Sequence, residues 1–189
     1  QNEAKQMRTT RRAFIIGVAT CALAGPAVAA PGTAVPAEIL AHARSMRSIR
    51  TGSGRGAVFI LFSTSCQFSR ALYQASFAFA QNAAFNWIPV ADGTPSGDTG
   101  AVILSEADAR MLHAIMAGGT APVADARHRD LADKLRGQIN ATIGSAITRN
   151  TGRPFGTPTL IYRDRDGISR LVRGAPQHQV LREICESAA

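Results

Sequence analysis

Apolar residues along this chain recur either every three to four positions or in unbroken runs, and their order lays out an α/β fold. Ile39, Leu40, Ala43, Met46 and Ile49 recur at helical spacing, which predicts a short amphipathic helix over 38–49. Thr51-Gly52-Ser53-Gly54-Arg55-Gly56 then reads as a flexible break. Residues 57–63 (AVFILFS) form a continuous apolar run rich in β-formers, the pattern of a strand buried on both faces. It runs into Thr64-Ser65-Cys66, a helix N-terminus with Thr or Ser available as N-cap. Phe68, Leu72, Ala75 and Phe79 then predict a helix over 66–81 that buries one face.

Residues 85–91 (FNWIPVA) read as the next strand, with Pro89 at an edge or end. Residues 92–100 are rich in Gly, Pro, Ser and Asp and read as a loop. Ser105-Glu106-Ala107-Asp108 resembles a capping box for a helix that stops at Gly118-Gly119. Two further helical patterns cover 124–136 and 138–149, with Gly137 as kink or divide. Residues 159–163 and 168–173 flank Asp164-Arg165-Asp166-Gly167, a β-hairpin signal, and Pro176 opens a last helix with Val180, Leu181, Ile184 and Cys185. Strand–helix–strand, a block of helices, then hairpin and helix is an α/β order with a mixed sheet.

The first 29 residues read differently. Arg11-Arg12-Ala13-Phe14 precedes an apolar run, and Ala27-Val28-Ala29 supplies a small-residue exit: the three-part layout of an export signal. The paired arginines resemble a twin-arginine signal, although they also occur in ordinary secretory signals. Cys21 belongs to that discarded run. Residues 30–56 are expected as a linker carrying the short helix, and 57–189 as the working domain, with a helical insertion over about 101–151. The expected location is the periplasm. The net charge of +8 falls once Lys5, Arg8, Arg11 and Arg12 are removed. The remaining basic residues are scattered and do not interleave with aromatics, so nucleic-acid binding is not expected. His42, His113, His128 and His178 lack ligand spacing, and no metal or cofactor is expected. No hydrolase signature is present.

Two cysteines remain, Cys66 and Cys185. In an oxidising compartment they could form a structural disulfide, while the last-helix position of Cys185 suits a buried packing residue. Cys66 stands where a strand gives way to a helix. Unpartnered N–H groups and the helix dipole there favour the thiolate, which is the nucleophile. Ser69 is placed to donate to the sulfur, and Arg70, one turn on, to add positive charge. The other reading is an inert, buried thiol. Gly156-Thr157-Pro158-Thr159 precedes the hairpin; Pro158 suits a strand start, as an ordinary trans turn or as a cis-proline loop beside the thiol.

Strand, Ser65-Cys66-Gln67-Phe68-Ser69, helix, helical insertion, Gly156-Thr157-Pro158-Thr159 and hairpin together resemble the thioredoxin superfamily. Within it, the catalytic domain of the periplasmic disulfide isomerases DsbC and DsbG is the nearest likeness, over residues 57–187. The resemblance implies a thioredoxin-like mixed sheet, Cys66 as nucleophile, Pro158 as the family's cis-proline, and Thr157 as the isomerase-type residue before it. Thr157 and Pro158 would bind substrate by strand-like backbone pairing.

Two departures qualify it. Ser69 stands where the family's second cysteine would be, giving C-x-x-S and leaving isomerisation or small-thiol exchange by one thiol. The isomerases' dimerisation domain has no counterpart beyond the 38–49 helix, so the oligomeric state stays open. The partners implied are exported proteins with cysteines, with room for a membrane redox partner. A non-catalytic binding or chaperone module serving an envelope or conjugation apparatus, and a structural relic with an unreactive Cys66, are the alternatives.

Overall fold

The computed structural model describes residues 30–91 and 93–189; the leader expected over 1–29, with Cys21, and Asp92 lie outside the described residues. Six strands form one mixed sheet in the order β1-β6-β5-β3-β4-β2. They are β1 (Thr33–Ala34), β2 (Ile49–Thr51), β3 (Gly56–Phe62), β4 (Ala83–Pro89), β5 (Thr159–Arg163) and β6 (Ser169–Arg173). Only β3 and β4 pair in parallel, with α2 (Gln67–Ser76) and a 3-10 turn (Phe77–Phe79) as their crossover; the other pairings are antiparallel.

Alternation along the central strands makes two cores. Val58, Ile60 and Phe62 of β3, Phe85 and Trp87 of β4, and Leu160 and Tyr162 of β5 face one side. They pack there with Leu72 and Tyr73 of α2 and with Leu181, Ile184 and Cys185 of α7 (His178–Ser187). Phe59, Leu61, Ile88 and Ile161 face the other side, against Ile39, Leu40 and Ala43 of α1 (Ala37–Ser45). A run that is apolar at every position is what a strand covered on both faces requires.

Between β4 and β5 the chain makes α3 (Pro95–Glu106), α4 (Ala109–Met116), α5 (Ala126–Ile139), a π turn (Asn140–Gly144) and α6 (Ser145–Thr151). This insertion departs from the sequence reading in three ways. Residues 95–100 are the first turns of α3, entered through Pro95, rather than loop. The expected capping box instead spans a break: α3 ends with Ala107 at φ 49°, and Asp108 caps α4 through the Arg110 N–H. The irregularity anticipated at Gly137 falls after it, as the π turn that begins at Asn140.

Residues 30–56 are not a linker. β1 adds an edge strand beside β6, α1 covers one face, and β2 pairs with β4. The glycines of the supposed flexible break are there for close approach. Gly52 has φ +77°, and a Cβ on Gly54 would fall 2.1 Å from the backbone carbon of Asn82. Phe68, expected on the buried face of α2, is 56% exposed. Its position is in the first turn of α2, one turn before the buried Leu72.

β2 also fixes the fold's largest buried side chain. Trp87, the chain's single tryptophan, is 0% exposed, and its indole N–H donates to Thr51 Oγ1 at 2.8 Å. Replacing Thr51 by Val keeps the shape and strands that donor. The expected loss is about 1–3 kcal/mol, read as a lower urea midpoint by Trp87 fluorescence. An unchanged midpoint would mean that the Trp87–Thr51 hydrogen bond contributes nothing to stability.

Candidate active site

The site begins where β3 stops. Val90 N–H still donates to Phe62 O at 2.8 Å, after which Ser63–Ser65 turn the chain, closed by Cys66 N–H on Ser63 O at 3.2 Å. The turn is braced from outside: Thr64 Oγ1 donates to Ser96 O at 3.1 Å and Arg70 Nε to Thr64 O at 2.9 Å. Arg70 is therefore committed to the turn's backbone rather than aimed at the sulfur. Cys66 itself, and neither Thr64 nor Ser65, is the N-cap residue, in extended geometry at φ −78°, ψ 115°. No side-chain hydrogen bond caps α2. Its first N–H groups are left to stabilise whatever charge stands at the cap.

The Cys66 sulfur is partly exposed and lies 3.1 Å from Thr157 O. As a thiol it donates to that carbonyl. Partial burial pushes its pKa up, but the Ser69 N–H, the side chains of Thr157 and Ser69, and the Phe68 N–H together outweigh burial and hold it below the ordinary cysteine value. Thr157 thus acts in two directions: its carbonyl favours the protonated sulfur, its hydroxyl the ionised one. Cys185 is the opposite case. It is 3% exposed among core side chains, and burial, with Glu186 nearby, pushes it up to about 12. Both cysteines are free thiols, so no Cys66–Cys185 bond is present.

Cys66, Ser69, Thr157 and Pro158, which the sequence separates into two segments, meet at one place. Ser69 is 0% exposed; its Oγ accepts the Ser63 N–H at 3.4 Å, which leaves the hydroxyl proton for the sulfur. The Thr157–Pro158 peptide is cis, and Pro158 is buried behind Thr157. Its loop is held at both ends: Thr159 Oγ1 donates to Gly156 O at 2.6 Å and Gly174 N–H to Pro158 O at 2.8 Å. The Arg173 guanidinium adds bonds to the carbonyl of Pro154 and to Thr151 Oγ1.

A hollow of about 500 Å³ opens beside the sulfur. Arg136 and Asn140 of the insertion and Phe155 of the loop line it with Ser65, Cys66 and Thr157. The sequence pointed to none of these three. Arg136 and Asn140 stand at the end of α5, and only the packing of the insertion against the cis-proline loop brings them to Cys66. The four histidines do not gather: His128 completes the capping box of α5 with Asp125, and His113 packs edge-on to Phe77 and tilted against Tyr73. Among the described residues no cluster of His, Cys, Asp or Glu could hold a metal ion, and no helix is long and apolar enough to cross a membrane.

Only one of the two described thiols should react in the native protein. Iodoacetamide should alkylate Cys66, with a rate that rises with pH and levels off at a midpoint below the ordinary cysteine value. A lowered pKa means the thiolate persists as pH falls towards that midpoint and is lost only beneath it. Ser69→Ala removes a donor to the ionised sulfur and should move the midpoint upward. A midpoint at or above the ordinary value in the wild type would show that burial dominates.

The chain matches no protein-family model and no curated protein. Solved structures do share its fold. A periplasmic thioredoxin-like protein from Salmonella enterica serovar Typhimurium superposes with a TM-score of 0.55 at 16% identity, over 82% of this chain and 97% of that one. A linker-deletion variant of ScsC from Proteus mirabilis gives 0.52 at 16% identity, over 79% of this chain and 78% of its own. At such identities the likeness establishes architecture alone: a thioredoxin-like mixed α/β fold with a helical insertion between β4 and β5.

Proposed function

We propose that this chain is an exported, periplasmic thiol–disulfide exchange protein that works with a single sulfur, in the manner of a disulfide isomerase of the DsbC and DsbG kind. One observation carries the reading: a partly exposed thiol at the N-terminus of α2, held below its ordinary pKa, lies 3.1 Å from the carbonyl of the residue that precedes Pro158. The periplasmic thioredoxin-like neighbour is consistent in fold. Cys66 is the nucleophile, Ser69 stabilises its charge, and Thr157 and Pro158 form the wall against which a client's backbone lies.

The cycle balances without an external oxidant. The Cys66 thiolate attacks one sulfur of a client disulfide. A new S–S bond joins Cys66 to the client, and the second client sulfur leaves as a thiolate, which water protonates. A different client thiolate then attacks the client sulfur bonded to Cys66. The new client disulfide forms and Cys66 departs as thiolate. One disulfide has been exchanged for another and nothing is oxidised overall. The depressed pKa populates the attacking species and makes Cys66 a better leaving group in the second step. Ser69 cannot attack the mixed disulfide, so release belongs to the client or to a small thiol.

Reactivation of scrambled ribonuclease tests the reading. The wild-type protein should accelerate recovery of activity, and Cys66→Ala should leave recovery at the buffer rate while a wild-type mixed disulfide accumulates under acid quench. Equal acceleration by both proteins would reduce the chain to a binding or chaperone module.

A further inference from the structure

Resting on that exchange reading, we propose that the site selects an extended, acidic polypeptide segment, laid in a trench that leads from Cys66 along the insertion to Arg149. The hollow beside Cys66 does not stop at Asn140. A second hollow of about 450 Å³ continues from it, lined by Gly144, Thr148 and Arg149, and the two share Asn140, Pro154 and Phe155. The end of α5, the π turn and α6 make one wall of a continuous trench, and the loop 152–157 makes the other.

Phe155 forms the floor where the hollows meet. Its ring is partly buried against the core on that face of the sheet. A Cβ on Gly144 would stand 3.1 Å from its Cε1, so the ring lies close against the backbone of the π turn. π turns within helices recur at functional sites, where the extra residue re-aims the helix face. Here the turn spans the junction of the two hollows.

The charges are one-sided. Arg136 lines the end near Cys66 and Arg149 the far end, while no carboxylate lines either hollow among the described residues. Among the described residues Asp133 lies beside Arg136 and Glu38 3.6 Å from Arg149, and all four side chains are well exposed. Exposed pairs of this kind hold weakly, and a guanidinium has donors to spare for an incoming carboxylate. A single small thiol would occupy only the first hollow. From Asn140 to Arg149 the helix advances about 13 Å. An extended chain covers that in about four residues. With about one residue more for the step from Cys66 to Asn140, which line the same hollow, a carboxylate roughly five residues from the client's cysteine is placed to reach Arg149.

The test uses peptides whose one cysteine is a mixed disulfide with 5-thio-2-nitrobenzoate. Cys66 thiolate attacks the peptide sulfur, the peptide becomes disulfide-linked to Cys66, and the coloured thiolate is released. One peptide carries glutamate five residues away on both sides of the cysteine; its twin carries lysine there. The readout is the ratio of the two rates within each protein, so a change in sulfur reactivity cancels. The wild type should favour the glutamate peptide about 1.5- to 5-fold, the range of one exposed ion pair. Arg149→Glu should bring the ratio to one or below. Arg182→Glu makes the same charge change on α7, outside the trench, and should keep the wild-type ratio. A wild-type ratio of one, a ratio unmoved by Arg149→Glu, or an equal fall with Arg182→Glu overturns the trench while leaving exchange in place. A wild type that also fails to react with the same mixed disulfide of N-acetylcysteine removes the exchange reading itself.

Discussion

A helix that starts directly off the end of a buried strand has N–H groups in its first turn with no backbone acceptor, and α2 leaves them facing a sulfur. An oxygen-bearing cap such as Ser or Asp would satisfy those donors with its own side chain. With Cys66 at the cap no such bond forms, and the donors of Phe68 and Ser69 are spent on the ionised state of the thiol. The architecture exists to hold that junction still. β3 is clamped between β4 and β5, the turn after it is tied to α3 through Thr64 and to α2 through Arg70, and the parallel β3–β4 pairing dictates that α2 lie across the sheet.

The second half of the site arrives from the far side of the insertion. Ninety-one residues separate Cys66 from Thr157, yet their contact is 3.1 Å. Nothing local to either segment enforces it. The antiparallel register of β5 on β3, Thr159 opposite Leu61 and Leu160 opposite Ile60, carries the loop 156–158 past the end of β3 and so up to the thiol. Arg173, opposite Thr159 on β6, reaches back to the same loop. The sheet's register, rather than contacts among the site's own side chains, is what aligns Cys66 with the Thr157–Pro158 loop.

That division explains which features the sequence made legible. β3, β4, the hairpin and α7 are written in runs and periods whose burial the fold preserves, and Cys66 and Pro158 stand at strand ends, where a pattern's edge can be read. The first strand, Thr33–Ala34, has two exposed residues and no apolar period, so only its pairing with Leu171 and Arg170 reveals it. Residues 95–100 are poor helix formers, and what recruits them is burial: Gly97, Gly100 and Ala101 are small because α3 lies close on the protein there, with a Cβ on Gly100 meeting Pro89 at 2.8 Å. Phe68 shows the reverse error, an apolar residue in helical phase that stays exposed in the first turn of α2. Arg136, Asn140 and Phe155 carry no local signature, because what matters about them is where the insertion docks.

Under the proposed exchange by a single thiol, the buried Ser69 in place of a second thiol changes what the rest of the site must supply. With two thiols, an enzyme can release a stalled client by itself, and its grip on the client can be generic. With one, the mixed disulfide lasts until some other thiol attacks it, and each unproductive client costs the protein a working copy until then. A lone nucleophile is therefore useful in proportion to how well non-covalent contacts choose the client before the sulfur commits. Phe155, the two arginines Arg136 and Arg149 and the π turn line the hollows along which, on that proposal, a bound chain would continue. Ser69, sealed at 0% exposure and tied to the Ser63 N–H, is held to stabilising the sulfur's charge. On that proposal selectivity would come from the insertion, since the chemistry at the sulfur is indifferent to which disulfide it meets.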